Sequence, residues 1–248
     1  MTTAGTPGPT GSSFADRVGA LFADFVARVC GANADGIAAT ATVVVASGRN
    51  GGLVRPAGAG HSAMPVMDSF YRAGGLAFVR PIWDHRTVVF EGARASTAAE
   101  REVGFGRSLA EAAQIQPVDT VVVYSTSGVS PYPVEIAEVA REVGATVVAV
   151  TSPAAGAAAT LRAPRRLAEA ADIVLDTLVP PGDVSWPPDA PAATPLSSIA
   201  NAALWAAVLS AVYDRDPQAP FWRSSHVPGG GELNETLAAQ FGPRIPEL

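Results

Sequence analysis

Val118-Asp119-Thr120-Val121-Val122-Val123-Tyr124-Ser125-Thr126-Ser127-Gly128-Val129-Ser130-Pro131 changes character in one step. Val118–Tyr124 is a largely apolar, β-branched run, which suits a strand buried on both faces of a sheet. Ser125–Ser130 then sets four hydroxyls around Gly128. Pro131 opens a segment, Pro131–Val143, with helical spacing, and proline is tolerated in a first helical turn. Gly144 ends that helix, and Thr146–Val150 is β-branched again. Strand, loop, helix and strand in this order make a βαβ unit with parallel strands.

The same alternation extends outward. Upstream, Gly52–Ala57 is predicted as a strand, Gly58-Ala59-Gly60 as a loop, and Ser62–Ala73 as a helix with Pro65 in its first turn. Gly74-Gly75 stops it. Leu76–Val79 follows as a strand and Ser96–Ala113 as a helix. Downstream, Asp172–Leu178 is a strand, Pro180–Pro195 a proline-rich connection, and Leu196–Tyr213 a long apolar helix. The tail, Phe221–Leu248, holds a Gly-rich turn and a short amphipathic helix. Near the start, Phe14, Val18, Leu21, Phe22, Phe25, Val26 and Val29 recur at helical spacing behind a Ser13 cap. Asp35–Ala46 reads as helix, since a strand of that length is unusual. The expectation is an α/β fold: a parallel sheet of about five strands with helices on both faces, a flavodoxin-like three-layer sandwich. Helical extensions lie at both ends, with a flexible leader over residues 1–12 and one domain over 13–248. Ligands on such sheets bind outside the carboxyl ends of the strands.

Composition narrows the chemistry. The chain has 248 residues, 48% hydrophobic and 16% charged, with a formal net charge of −6. That is ample for a packed core, and the acidic balance argues against nucleic-acid binding. Every basic residue is an arginine, which excludes Schiff-base and phosphate-loop lysines. The single cysteine, Cys30, cannot close an intrachain disulfide or build a cysteine zinc site, and a reducing cytoplasm fits. No run reaches a membrane-spanning length. The three histidines lack metal-ligand spacing, so no metal or other cofactor is expected.

Two strand-to-helix loops carry the candidate site. Arg55-Pro56-Ala57-Gly58-Ala59-Gly60-His61-Ser62 offers flexible glycines, a hydroxyl and a helix start whose free N–H groups and dipole suit an anion. Taken alone it is equally an ordinary tight turn with Ser62 as a cap. It also matches G-x-G-x-x-A, a loose dinucleotide fingerprint, with Arg80 as the residue that could meet a 2′-phosphate. In the second loop Ser125, Thr126, Ser127 and Ser130 can wrap phosphate oxygens without a lysine.

G-A-G-H-S, then S-T-S-G-V-S, then a helix and G-A-T-V-V-A-V-T-S resemble a SIS (sugar isomerase) domain, and the second loop is similar to that of phosphoheptose isomerases. Phe70–Leu76, Glu91–Ala93, Glu100–Gly104 and Val227–Gly230 resemble a SIS group with a G-x-G-H-S motif. The resemblance spans roughly residues 14–242. It implies a parallel α/β fold that binds a phosphorylated sugar, with phosphate contacts from Ser62, Ser125, Ser127 and Ser130 and room for a further one from Thr126. Gly58, Gly60 and His61 join the candidate binding set on the chemistry of the first loop itself. It also implies a homodimer or larger assembly with sites near the subunit boundary. Excess apolar surface on Phe14–Val29 and Leu196–Tyr213 points the same way. Isomerases of this kind carry a glutamate near the position of Arg72, where this chain has arginine. Asp68, one turn earlier, is the nearest carboxylate.

Aldose–ketose isomerisation needs a carboxylate to move a proton between adjacent carbons and a second group for the hydroxyl and carbonyl protons. Asp68, Glu91 and Glu100 are the candidate carboxylates, although Asp68 can instead pair with Arg72 at i+4. His61, and more remotely His226, can shuttle protons near neutral pH. The leading expectation is a sugar-phosphate isomerase. A phosphosugar sensor without catalysis, or a lyase or etherase acting on an amino-sugar phosphate, are the alternatives.

Overall fold

The computed structural model describes residues 13–248; the leader expected over residues 1–12 lies outside the described residues. In chain order the elements are α1 (Phe14–Ala32), α2 (Ala34–Arg49), β1 (Val54–Gly58), α3 (Ala63–Ser69), α4 (Ala93–Arg101), α5 (Phe105–Ala112) and β2 (Thr120–Tyr124). There follow α6 (Pro131–Glu142), β3 (Thr146–Thr151), α7 (Pro153–Ala158), α8 (Leu167–Ala170), β4 (Ile173–Asp176), α9 (Ser197–Arg215) and α10 (Gly230–Phe241).

The sheet is parallel throughout, in the order β1-β2-β3-β4. Successive side chains of a strand point to opposite faces. Val122 and Tyr124 therefore join the core under α1, α2, α3 and α9, while Val121 and Val123 join the core under α4, α5, α6 and α8. Both faces are covered, so the Val118–Tyr124 run had no reason to alternate. The outer edge of β4 is closed by Asn33, at the α1–α2 corner. Its side chain accepts from Asp176 N and donates to Asp176 O, both at 2.7 Å, so this backbone is not left as an open edge.

Four strands form ladders, against about five expected. Leu76–Ile82 does run beside β1: Val54 N–H donates to Phe78 O and Arg80 N–H to Val54 O, each at 2.9 Å. The next donor in that ladder belongs to Pro56, which has no N–H. Arg80 O is taken by the Arg55 guanidinium instead, and only isolated bridges remain at Val79 and Ile82. The helix expected over Ser62–Ala73 ends at Ser69, because Phe70 is extended and the chain beyond it pairs with Pro220–Trp222. The helix expected over Ser96–Ala113 is two helices. Glu135 of α6 accepts from Gly104 N and Arg107 N at 2.7 and 3.2 Å, so its carboxylate caps a fresh start at α5.

From β1 the chain moves out to Leu76–Ile82 and then returns across β1 to β2. The helices after β1 and β2 consequently lie on opposite faces, and a crevice opens between the two strand ends, the position where such sheets hold ligands. No single helix among the described residues is long and apolar enough to cross a membrane. α1 and α2 meet that test only as a pair bent by 65°, and Ala41 and Val44 of α2 are fully buried in the core.

Candidate functional site

The first loop leaves β1 through a turn only glycine permits. A Cβ on Gly58 would sit 2.1 Å from the Ser62 carbonyl oxygen. Gly58 is thus needed to fold the turn, while Gly60, at φ +63°, keeps a left-handed backbone that glycine tolerates. A short 3-10 turn, Gly60–Ser62, leads into α3. Ser62 lies in the helical region and its hydroxyl caps nothing.

The second loop is pinned by its backbone. Ser125 N–H donates to Val150 O, Ser152 N–H to Thr126 O, and Leu167 N–H to Gly128 O, at 3.1, 2.8 and 2.8 Å. Ser125 Oγ accepts from Gly128 N–H at 3.2 Å. The loop is therefore held without spending the hydroxyls of Thr126 and Ser127, which, like that of Ser62, make no protein hydrogen bond among the described residues. All three face one cavity of about 460 Å³, together with Gly60, His61 and Ser125.

A third wall comes from α4, through Ser96, Thr97 and Glu100. Burial pushes the Glu100 carboxyl above the usual carboxylate range, while the Ser130 hydroxyl bonded to it and the charges of Arg101 and Arg162 pull it back. Such a carboxyl, half-buried in a polar cleft, suits proton transfer.

The fourth wall is the start of α9 with Asp183, Pro195, Ser197, Ser198 and Asn201, none of which local periodicity or turn chemistry singles out. Asp183 accepts from Leu196 N, Ser197 N and Ser197 Oγ at 2.8, 3.0 and 2.5 Å. It acts as a cap lent to α9 by the proline-rich connection. Among the described residues no arginine lines the cavity, so an anion there must rely on neutral donors and helix N-termini.

The other candidate residues lie elsewhere. Asp68 forms an ion pair with Arg72 on the outside of α3, in a neighbouring hollow. Glu91 and His226 are exposed and line none of this cavity. Ser130 is buried behind the wall and faces Glu100 rather than the open space. Arg80, wanted by the dinucleotide alternative, stands beside the start of β1 and binds Glu247 at 3.1 Å, at the wrong end of the sheet. A larger hollow of about 1000 Å³ lies among α9, α10 and Pro217–Phe221, away from both loops.

The profile of the SIS domain matches residues 19–152, which takes in both loops and Glu100. The chain belongs to the SIS domain family. A UPF0309 protein of Listeria monocytogenes is 32% identical over 223 residues, covering 87% of this chain and 90% of that protein. One from Streptomyces coelicolor is 34% identical over 232 residues, covering 90% and 92%. Among solved structures, a phosphoheptose isomerase from Neisseria gonorrhoeae has a TM-score of 0.50 and 20% identity, over 80% of this chain and 98% of that one. A putative phosphosugar isomerase from Silicibacter pomeroyi has a TM-score of 0.51 and 21% identity, over 87% and 53%. At those identities the likeness is one of fold. In this SIS domain, α9 turns most of its apolar residues inward, with Ala200, Leu204, Val208 and Val212 fully buried. The large apolar side chains left exposed include Phe14 on α1 and Met64 and Met67 on α3.

Proposed function

We propose that this SIS domain binds a phosphorylated sugar in the 460 Å³ cavity and isomerises it between aldose and ketose. The observation that carries the reading is the convergence of the two hydroxyl loops, with Glu100, on one cleft at the switch point of the sheet. Hydroxyls of Ser62, Ser125, Thr126 and Ser127 hold the phosphate, aided by the start of α3. Glu100 takes the proton from carbon 2 and returns it to carbon 1 through an enediol. His61, at the cavity rim, moves the proton between the two sugar oxygens, so that no proton is gained or lost overall. Residues 13–248 act as one unit, in a homodimer or larger assembly that light scattering at micromolar concentration would detect.

The experiment is solvent-deuterium exchange into hexose and heptose phosphates, followed by NMR. Exchange at carbon 1 or 2 is expected with the parent protein and is lost in Glu100→Gln, while Asp68→Ala and Glu91→Ala keep it. Exchange that survives in Glu100→Gln removes Glu100 from this role.

A further inference from the structure

Asn201 is 94% buried, yet its side-chain amide makes no hydrogen bond to the protein among the described residues. Buried amides are ordinarily paired, because desolvating one without a partner is costly. Asn201 and Ser198, three residues apart on α9, share one face of that helix. Both line the hydroxyl cavity and also a second hollow of about 510 Å³ beside it. The second hollow is of opposite character. Met64, Pro65, Met67, Ala202 and Trp205 supply most of its wall, with the Asp68–Arg72 ion pair at one side, and the indole Nε1 of Trp205 is fully enclosed without a partner. An unpaired amide thus stands where a polar, hydroxyl-lined space opens into an apolar one.

With phosphate binding as its premise, and not the aldose–ketose step, this arrangement names a substituent. We propose that the ligand is an N-acylated amino-sugar phosphate, its amide paired with Asn201 and its acyl chain lying in the Met64–Met67 hollow. At carbon 2 that substituent replaces the hydroxyl an enediol requires, so this ligand keeps the binding half of the reading and is not isomerised between aldose and ketose. An amide both donates and accepts, as Asn201 does, whereas a plain hydroxyl leaves the apolar hollow unfilled and a protonated amine offers Asn201 no acceptor. The phosphate stays on the Ser62 and Ser127 loops, and the acyl group extends along α9.

Calorimetry with the 6-phosphates of glucose, glucosamine and N-acetylglucosamine, and of their manno epimers, tests this. The parent protein should bind an N-acetyl compound about ten-fold or more tightly than the matching hydroxyl and amine compounds, the worth of one well-made buried contact set. Asn201→Ala should erase that preference while its unfolding midpoint stays unchanged, since no protein hydrogen bond is lost. Met67→Lys, at a position 64% exposed, should reduce the preference by crowding the hollow. Equal binding of acetylated and unacetylated phosphates overturns the inference and leaves the phosphosugar reading standing. Binding of none of them overturns both. Should Met67→Lys keep the preference and instead dissociate a dimer by light scattering, the hollow is a subunit contact and the inference fails.

Discussion

At the start of β1 and β2, Arg55 and Asp119 are buried against each other at 3.7 Å, with side-chain exposures of 3% and 0%. Burial pulls the Arg55 guanidinium down to about 10, and Asp119 opposes that shift. Arg55 also donates to Arg80 O and Ala113 O, and Asp119 accepts from Leu53 N and Gln116 N. At the far end of the same two strands, the hydroxyls of Ser62, Thr126 and Ser127 have no protein partner among the described residues, and Asn201 is unpaired. One end spends its polar groups on the fold; the other leaves them for something that binds. A parallel sheet makes this division natural, since its carboxyl end gathers the loops and helix starts while its amino end can be sealed.

Several substitutions sharpen or break that contrast. Asp119→Ala leaves a buried guanidinium without its carboxylate and strands two backbone donors. Denaturant unfolding should show a loss of about 3–5 kcal/mol, with ligand affinity of the folded fraction unchanged. Ser127→Ala should do the reverse, weakening a phosphosugar about ten-fold by calorimetry while the unfolding midpoint holds. An affinity loss from Asp119→Ala matching that from Ser127→Ala would erase the distinction between the ends.

Glu100→Gln probes the cost of function. A buried carboxyl raised above its unfolded value favours the protonated folded state. Its contribution is fully present below the ordinary carboxylate range and is lost as pH rises through the raised value. Near neutral pH the Gln variant should therefore unfold at higher denaturant than the parent, and the gap should close in acid. A less stable variant at neutral pH would mean that Glu100 is structurally paired. The smallest effect belongs to Asp68→Ala, an exposed i,i+4 ion pair with Arg72. It should cost about 0.3–0.5 kcal/mol and leave phosphosugar affinity alone.

The strands, the helices α1, α2, α6 and α9 and both hydroxyl loops were legible in the sequence, because each rests on local periodicity or on turn chemistry within a few residues. What escaped depends on distant partners. The break at Gly104 follows from Glu135, some thirty residues on in sequence and one helix away in space. Only two isolated bridges at Val79 and Ile82 form beside β1, since Pro56 lies on the neighbouring strand and withholds its N–H. Asp183, Ser198 and Asn201 follow a proline-rich connection, and only the packing of α9 beside the crevice brings them to the loops. The one available clue was position: α9 begins just after the sheet's last strand, at the carboxyl edge. Asp68 and Glu100 were indistinguishable as helix carboxylates until their surroundings separated them, one paired with Arg72 at the surface and one set into the cavity.

The central claim, that the two loops form one phosphate site, is tested most directly by titrating a sugar phosphate and the same sugar without its phosphate into the parent protein and into Ser127→Ala by calorimetry. The account predicts that the phosphate compound binds the parent measurably, that the plain sugar binds poorly, and that Ser127→Ala removes about ten-fold or more of the phosphate compound's affinity. Equal affinity for the sugar with and without phosphate, or a Ser127→Ala variant that binds as the parent does, would contradict it.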